Sequence, residues 1–289
     1  MGMLLVITIP FSPILLQLGP LAIRWYGVGY AVAFLLGLWV ASRHLKRYGM
    51  SEHDYGDLAF WSIVIGLIAA RLYYVVQSNA GFYLTHPAHI LAFWEGGMAY
   101  FGPLFTIPIL IFLYCRWKKL SLWPVLDAAA LFAAIGQPIG RIGNLFNGDI
   151  IGYPSTLPWA TSYTNPLTFA PAIGVSYQPA AAYELLLGLA ILGLLLLLRR
   201  WGKARAGALF LAYLALYSIS QFGVFFLRQN EIIAWGLKQA QFSAIALALI
   251  TIILWLIWRR TTTKPTEAEP LPTSSISTVE TDDLSPDAR

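Results

Sequence analysis

The sequence predicts an all-α fold, a polytopic membrane protein built as a bundle of seven transmembrane helices. Hydrophobic residues make up 58% of the 289 residues and charged residues only 11%, whereas a soluble domain carries roughly a quarter charged residues. Apolar runs of about 20 residues, the length that crosses a bilayer, recur at nearly regular spacing. The basic residues lie in short clusters between those runs, so the net charge of +5 indicates membrane topology rather than binding to nucleic acid.

The apolar runs define the predicted spans and the domain organisation. The spans cover residues 21–42, 58–77, 98–115, 122–139, 180–198, 207–227 and 236–258, and residues 21–260 are predicted to form one domain. Residues 1–20 lack a basic start, and Pro10 and Pro13 interrupt their apolar run, so this segment is predicted to be an arm at the membrane interface rather than a signal peptide. Residues 261–289 are rich in Thr, Ser, Pro and acidic residues, which predicts a disordered cytoplasmic tail.

The distribution of Lys and Arg predicts the side of the membrane on which each end of the chain lies. Basic clusters follow the first, third, fifth and seventh spans, at 43–47, 116–119, 199–205 and 259–264. Because cytoplasmic loops are enriched in Lys and Arg, the N-terminus is predicted to be outside and the C-terminus in the cytoplasm. The two long loops, 78–97 and 140–179, are then predicted to face outward.

A few basic residues lie outside those clusters, within a predicted span or at its end: Arg24, Arg71, Arg141, Arg228 and Lys238. A charge at the bilayer centre costs on the order of 2.5–3.5 kcal/mol, so such a residue needs a partner, a wet cavity or a ligand. Arg24 and Lys238 are predicted to extend their charged ends to the membrane interface. Apolar residues flank Arg71 on both sides, so the interface is harder for its side chain to reach.

The segment GRIGNLFNGD, residues 140–149, concentrates Arg141, Asn144, Asn147 and Asp149 at the outer end of the fourth span. A guanidinium binds phosphate in a fork, and glycine lets the backbone approach a ligand closely. One interpretation is therefore a site for a lipid headgroup at the outer leaflet. The alternative is an irregular helix end that satisfies its own unpaired carbonyls. Neither interpretation alone predicts a reaction.

Residues 140–152, GRIGNLFNGDIIG, are similar to the signature of the prolipoprotein diacylglyceryl transferase family. Further stretches resemble that family in the same order: residues 11–30, AARLYYV at 69–75, WEGGMAYFG at 94–102, QPAAAYELLLG at 178–188 and YSISQFGVFFLRQ at 217–229. The resemblance covers nearly all of residues 10–258, and its order agrees with the predicted spans.

The family resemblance implies an integral, multi-pass enzyme of the bacterial cytoplasmic membrane. Members of the family transfer the diacylglyceryl group of phosphatidylglycerol to the thiol of the lipobox cysteine in a prolipoprotein signal peptide, and glycerol phosphate leaves. The nucleophile belongs to the substrate, so the resemblance implies no cofactor and no metal. The only cysteine of this chain, Cys115, is expected to be a small apolar filler at the cytoplasmic end of the third span.

The same resemblance assigns residues to the site. Arg141 and Tyr26 are the implied catalytic residues, and Arg141 would also bind the phosphatidylglycerol headgroup. The further residues implied to bind substrate are Asn144, Asn147, Asp149, Arg71, Tyr183 and Glu184. Asp149 stands where the family usually has Glu, which keeps the charge and shortens its reach.

Three further positions depart from the family pattern. Phe101 stands where the family has His, and Gln221 and Phe225 stand where its sixth span has Arg and Glu. Phe has no proton to exchange, and Gln cannot compensate a developing phosphate charge as Arg does. The alternative function is therefore a catalytically impaired relative that binds phospholipid or lipoprotein signal peptides. A seven-helix receptor or transporter agrees with the span count alone.

Overall fold

A computed structural model of the chain describes residues 6–19, 21–93, 96–99, 101–200 and 205–261. Within these ranges the fold is mostly helical, with short strands and two 3₁₀ turns between the helices. The described helices are α1 (Trp25–Leu45), α2 (Glu52–Thr85), α3 (Phe101–Trp117), α4 (Leu122–Asn147), α5 (Ala180–Arg200), α6 (Ala208–Val224) and α7 (Gln239–Thr261).

The helices have the length and surface of membrane-embedded helices. Among the described residues, five helices (α1, α2, α4, α5 and α7) are long and apolar enough to cross a membrane, while α3 and α6 are apolar but have 17 residues each. Large apolar side chains cover the outside of the bundle; Leu35 is 66% exposed and Ile253 56% exposed. Polar side chains such as Ser218 and Gln241 are buried instead, which is typical of a bundle whose outer surface faces lipid. The predicted polytopic architecture is confirmed to that extent.

Helix α4 lies at the centre of the bundle, where it packs along α1, α5 and α6. One buried cluster joins the ends of α1, α2, α3 and α4, and Cys115 lies within it at 2% exposure. A second cluster joins α4 to α5 and α6 through Leu131, Leu195 and Leu209. Since α4 contacts helices on both sides, groups at its ends are held in register with α1, α5 and α6.

The start of α6 is capped by a carboxylate from α4. Oδ2 of Asp127 accepts a hydrogen bond from the Gly207 amide at 2.7 Å, and Oδ1 accepts one from the Phe210 amide at 2.8 Å. Gly207 has a φ of 94°, a left-handed conformation that favours glycine. Asp127 therefore satisfies amides that α6 leaves unpaired at its first turn, and its charge lies at the favourable end of the helix dipole.

Replacing Asp127 with Ala is expected to lower the free energy of unfolding by about 1–3 kcal/mol, because one buried and one partly buried amide lose their acceptor. Thermal unfolding of the purified protein in detergent measures this loss. Asp127→Asn keeps one acceptor oxygen and should lose less. Asp57→Ala, which removes a partly exposed carboxylate from α2, is the matched control. Equal melting temperatures for Asp127→Ala and the control would contradict a stabilising cap.

The prediction named no strands, and the described residues contain short ones at the end of the bundle where α4 finishes. β1 (Ile7–Ile9) pairs in parallel with β4 (Thr161–Tyr163), which pairs in an antiparallel manner with β5 (Ser176–Tyr177). Two hairpins complete the set: β2 (Ile14–Leu18) with β3 (Leu21–Arg24), and β6 (Ile232–Ala234) with β7 (Leu237–Lys238). Eight of the fourteen described residues of the predicted arm thus lie in strands, and α1 begins at Trp25 rather than at residue 21.

Two helices continue about two turns past their predicted ends, whereas the other ends differ from the prediction by two or three residues. α4 runs to Asn147 instead of 139, so GRIGNLFN forms its last turns, and Gly148 ends it with a φ of 73°. Gly143 lets Tyr26 of α1 approach α4 closely, because a Cβ at position 143 would lie 3.0 Å from the Tyr26 ring, and Tyr30 packs beside Gly140 at ordinary contact distance. The connection after α4 therefore begins at residue 148. α2 continues to Thr85, beyond the predicted 77. The predicted tail lies outside the described residues from residue 262 onward.

Candidate active site

Arg141, near the end of α4, contacts polar groups of α4 and α5. Its Nη2 lies 2.6 Å from Oε2 of Glu184 on α5, and its Nη1 donates to Oδ1 of Asn144 at 3.2 Å. Positions 141 and 144 are three residues apart on one helix, so their side chains lie on the same face. Because α4 and α5 pack together, three of the predicted site residues form one polar cluster.

Glu184 also holds a second guanidinium. Its side chain is 0% exposed, and its Oε1 accepts a hydrogen bond from Nη1 of Arg228 at 3.1 Å. Burial lowers the pKa of the Arg228 guanidinium, and the Glu184 carboxylate opposes that shift. The Asp149 carboxylate also lies within electrostatic range of Arg228, so two carboxylates balance the two guanidiniums, and Glu184 is the one that contacts both of them. Arg141, Glu184 and Arg228 are referred to below as the Arg–Glu–Arg cluster.

Both arginines of the cluster have hydrogen-bonding capacity left over. Among the described residues, Nε of Arg141 and Nε of Arg228 are buried without a hydrogen-bond partner. Buried polar groups are nearly always paired, so two unpaired donors in one cluster need an explanation. A planar guanidinium offers its N–H groups in a fork that matches two phosphate oxygens. The cluster therefore has unused donors of the kind that bind phosphate.

The amide side chains of α4 connect the cluster to its surroundings. Nδ2 of Asn144 donates to both carboxylate oxygens of the exposed Asp149, at 3.1 and 3.0 Å. Asn147 points to a different cation, since its Oδ1 accepts a hydrogen bond from Nη1 of Arg24 at 3.1 Å. The Arg24 guanidinium also lies 4.7 Å from the centre of the Phe169 ring. Arg24, which was predicted to reach the interface, thus has partners within the protein.

The two predicted tyrosines lie at different places. Tyr26 packs against Gly143 of α4, within electrostatic range of Arg141 and Asp149, and its hydroxyl donates to that of Tyr30 at 2.9 Å. Tyr183 precedes Glu184 on α5, but its hydroxyl accepts a hydrogen bond from Nε1 of Trp159 at 2.8 Å. Tyr26 therefore borders the cluster, whereas Tyr183 contacts the connection between α4 and α5.

Arg71 is 2% exposed and binds backbone carbonyls. It donates to the carbonyl of His89 at 2.6 Å, to those of Ile90 and Gly97 at 3.0 Å each, and to that of Gly96. All of these carbonyls belong to the connection between α2 and α3. The described hydrogen bonds of Arg71 thus hold this connection against α2 rather than joining Arg71 to the Arg–Glu–Arg cluster.

Arg228 and Lys238 are the site residues that sequence reasoning did not assign. Lys238 is 4% exposed, so the prediction that it reaches the interface is wrong. Its Nζ donates to the carbonyls of Phe225 and Arg228, at 2.6 and 2.5 Å. It thereby fixes the turn that follows α6, and a cation is favoured at the end of a helix. Glu184 is a lone carboxylate in the apolar helix α5. Its presence in the sequence indicates that a cation lies nearby in the fold.

Two clefts adjoin the cluster. The first, the terminal cleft, measures about 250 Å³ and is lined by Gly148, Asp149, Ile151, Phe169, Pro171, Arg228, Gln229 and Asn230. The second, the bundle cleft, measures about 10 Å³ between α4, α5 and α6, and its polar lining comprises Gln137, Glu184, Tyr213, Tyr217, Ser220 and Gln221. The contact between Arg228 and Glu184 links the two clefts.

The three positions that depart from the family pattern are also located. Phe101 begins α3 and lies near the rings of Tyr73 and Phe105, with centroids 5.8 and 6.4 Å away. Gln221 lines the bundle cleft beside Glu184. The buried ring of Phe225 lies 4.4 Å from the Arg228 guanidinium, which is a cation–π contact.

These features define a class of protein: a membrane-embedded helical bundle with a polar cluster of two arginines and a glutamate at one end. Among the described residues, no group of three His, Cys, Asp or Glu side chains is arranged to hold a metal ion. The chain belongs to the prolipoprotein diacylglyceryl transferase family, whose sequence profile it matches over residues 13–257. The resemblance predicted from the sequence is confirmed.

Several bacterial relatives are similar over most of their length, and each is called phosphatidylglycerol–prolipoprotein diacylglyceryl transferase. The protein from Lactobacillus acidophilus is 34% identical over 259 residues, which cover 88% of this chain and 92% of that protein. The protein from Synechococcus elongatus is 34% identical over 255 residues, covering 86% and 87%. The protein from Bacillus licheniformis is 34% identical over 255 residues, covering 87% and 93%.

Proposed function

We propose that this chain transfers the diacylglyceryl group of phosphatidylglycerol to the lipobox cysteine of prolipoproteins. The observation that carries the proposal is the Arg–Glu–Arg cluster, whose arginines have unpaired donors at the end of an apolar bundle in a member of this family. Membrane phospholipids present their phosphates at that level. The enzyme would be a multi-pass protein of the bacterial cell membrane, with seven spans, its N-terminus outside and its C-terminus in the cytoplasm.

The proposed lipid site uses Arg141 and Arg228 for the phosphate. Phosphate oxygens would accept hydrogen bonds from the unpaired Nε–H groups of both arginines. They would also replace Glu184 as the acceptor for some of the Nη–H groups. Asn144 would keep Arg141 and Asp149 in place through its three hydrogen bonds. The glycerol end of the headgroup would enter the terminal cleft, and the acyl chains would follow the apolar outside of the bundle.

The proposed reaction forms one bond and breaks one. The substrate thiolate attacks the glyceryl carbon that carries the phosphate oxygen, so a sulfur–carbon bond forms and the carbon–oxygen bond breaks. The electron pair leaves with glycerol phosphate, and Arg141 and Arg228 stabilise the charge that develops there. The thiol proton must pass to a base; the exposed Asp149 carboxylate, beside Arg228 in the terminal cleft, is placed to accept it. Tyr26 would border the same space.

The other predicted residues would act at the edges of this site. Asn147 would hold Arg24, which keeps a further positive charge at the end of α4. Tyr183 and Trp159 form a contact between α5 and the connection before it. Arg71 would hold the connection before α3 in the conformation that bounds the site.

A second candidate is a relative that binds phosphatidylglycerol or lipoprotein signal peptides without turnover. The aromatic surroundings of Phe101 and the neutral Gln221 beside Glu184 favour it, because neither side chain can carry a proton or a positive charge. Under this candidate, restoring His at position 101 and Arg at position 221 together should produce transfer activity.

The experiment that distinguishes the two candidates is a transfer assay. Purified protein in phosphatidylglycerol nanodiscs is incubated with a lipobox peptide, and mass spectrometry detects the diacylglyceryl thioether and released glycerol phosphate. The matched controls are a peptide with Ser in place of the Cys and nanodiscs of phosphatidylcholine. Thioether formed only with Cys and phosphatidylglycerol supports the transferase. Bound lipid without product supports the second candidate. If the protein neither forms the thioether nor binds the lipid, both candidates are overturned.

Replacing Lys238 with Met is expected to raise KM for phosphatidylglycerol roughly tenfold with little change in kcat. The loss corresponds to about 1.4 kcal/mol, one charge-assisted hydrogen bond, because the turn that carries Arg228 is no longer fixed. Lys238→Arg should restore most of the affinity, which a purely structural loss of stability would not predict. Lys46→Met, an exposed lysine far from the cluster, is the control. A fall in kcat with unchanged KM would contradict this positioning role.

A further inference from the structure

His44 lies at the end of the bundle opposite Arg141, near the end of α1. It is 3% exposed, and neither ring nitrogen has a hydrogen-bond partner among the described residues. Its ring lies 5.2 Å from that of Tyr48, which offers an aromatic contact only. An imidazole always has at least one N–H donor, so a buried ring with both nitrogens unpaired lacks the partner that buried polar groups nearly always have.

Two arginines act on His44. Arg199, near the end of α5, and Arg47, in the turn after α1, are the charged groups within its electrostatic range, and they also repel one another. Nε of Arg199 is buried and, like His44, has no partner within the described part of the chain. Basic side chains from α1, α5 and the turn after α1 are thus close together, and those of His44 and Arg199 have unpaired nitrogens. His44, Arg47 and Arg199 are referred to below as the basic cluster.

The nearby carboxylates are engaged elsewhere. Glu52 forms an ion pair with Lys46, and Asp127 accepts the amides of Gly207 and Phe210 at the start of α6. The ends of α1 and α5 carry the negative pole of the helix dipole, which explains why basic residues occur there. The dipole does not explain the buried, unpaired donors of His44 and Arg199. An anion between them would explain both the donors and the converging positive charges.

The surroundings favour a lipid as the source of that anion. Arg47 is exposed, so the basic cluster opens to the outside of the bundle. About one turn nearer the bundle centre, Trp39 on α1 and Leu196 on α5 are 53% and 42% exposed, and such apolar surface suits acyl chains. Arg–phosphate pairing is the strongest charge-assisted contact available to these residues.

We propose that the basic cluster binds the phosphate group of an anionic phospholipid, at a second lipid site separate from the Arg–Glu–Arg cluster. The two sites lie at opposite ends of α1 and α5 and share no residue. Binding at the basic cluster does not depend on transfer activity, so its test is independent of the proposed enzyme.

Native mass spectrometry of the full chain, titrated with phosphatidylglycerol in detergent, tests the second site. In an Arg141→Gln background, which weakens the first site, one lipid should still bind. Adding Arg199→Gln should weaken that binding about tenfold, the effect of losing a charged hydrogen-bond partner. Arg47→Gln, a change on the exposed side that leaves helix packing intact, should weaken it several-fold. Arg200→Gln, the exposed neighbour with the same loss of charge, should not.

Two further titrations identify the ligand. Phosphatidylcholine carries a phosphate with a compensating cation and should bind less tightly than phosphatidylglycerol. Millimolar inorganic phosphate should compete only weakly, because it lacks acyl chains. Equal binding of inorganic phosphate would overturn the lipid assignment. Unchanged lipid binding in both Arg199→Gln and Arg47→Gln would overturn the site itself, whether or not the protein catalyses transfer.

Discussion

Replacing Arg141 with Ala is expected to lower kcat/KM for diacylglyceryl transfer about 10²–10³-fold, the usual effect of removing a group that stabilises developing negative charge. Arg141 is placed to hold the phosphate in the bound lipid and the charge that grows on the leaving glycerol phosphate. Its removal also leaves Glu184 with one cation instead of two. Initial rates with a lipobox peptide in phosphatidylglycerol nanodiscs measure the effect.

Two further variants show whether charge or geometry matters at position 141. Arg141→Lys keeps the positive charge and loses the planar fork, so its rate should fall between those of the wild type and Arg141→Ala. Arg260→Ala removes an exposed arginine at the end of α7 and should leave the rate unchanged. Transfer by Arg141→Ala within a few-fold of the wild-type rate would contradict the assignment of the phosphate site.

Replacing Glu184 with Gln is expected to destabilise the protein by about 3–5 kcal/mol, because two mostly buried guanidiniums then lose the one carboxylate that contacts them among the described residues. Unfolding in detergent, followed by temperature or denaturant, measures the loss. Leu186→Ala, on the exposed face of the same helix, is the control and should change stability little.

Glu184→Gln also has a ligand-dependent signature. If a lipid phosphate occupies the same guanidiniums, phosphatidylglycerol should replace the missing carboxylate as their counter-ion and restore part of the lost stability. The shift of melting temperature on adding phosphatidylglycerol should therefore be larger in Glu184→Gln than in the wild type. An equal shift in both proteins would mean that the lipid binds elsewhere.

The sequence predicted the helices well and their ends less well. Apolar runs mark the middle of each helix because lipid-facing surface must be apolar, and that signal is local. The end of α4 was misjudged because glycines usually terminate helices, whereas here Tyr26 and Tyr30 pack against Gly143 and Gly140. The short strands were missed because strands of two to five residues depend on pairing with distant segments, as β1 does with β4.

The site was predicted in part. The resemblance named Arg141, Asn144 and Glu184, and the fold brings them together. Arg228 was noticed as an isolated basic residue, but its partner Glu184 lies 44 residues away in sequence, and only the packing of α5 against α6 brings them into contact. The carbonyl partners of Arg71 could not be predicted either, because the direction of a backbone carbonyl depends on the folded connection and not on the residue types.

The most direct measurement is a cryo-EM structure of the protein in phosphatidylglycerol nanodiscs at a resolution that shows headgroups. The account predicts a lipid phosphate within hydrogen-bond distance of the guanidiniums of Arg141 and Arg228, with the glycerol in the terminal cleft beside Asp149. A phosphatidylglycerol headgroup bound elsewhere, with Glu184 still the only anion on both arginines, would contradict it.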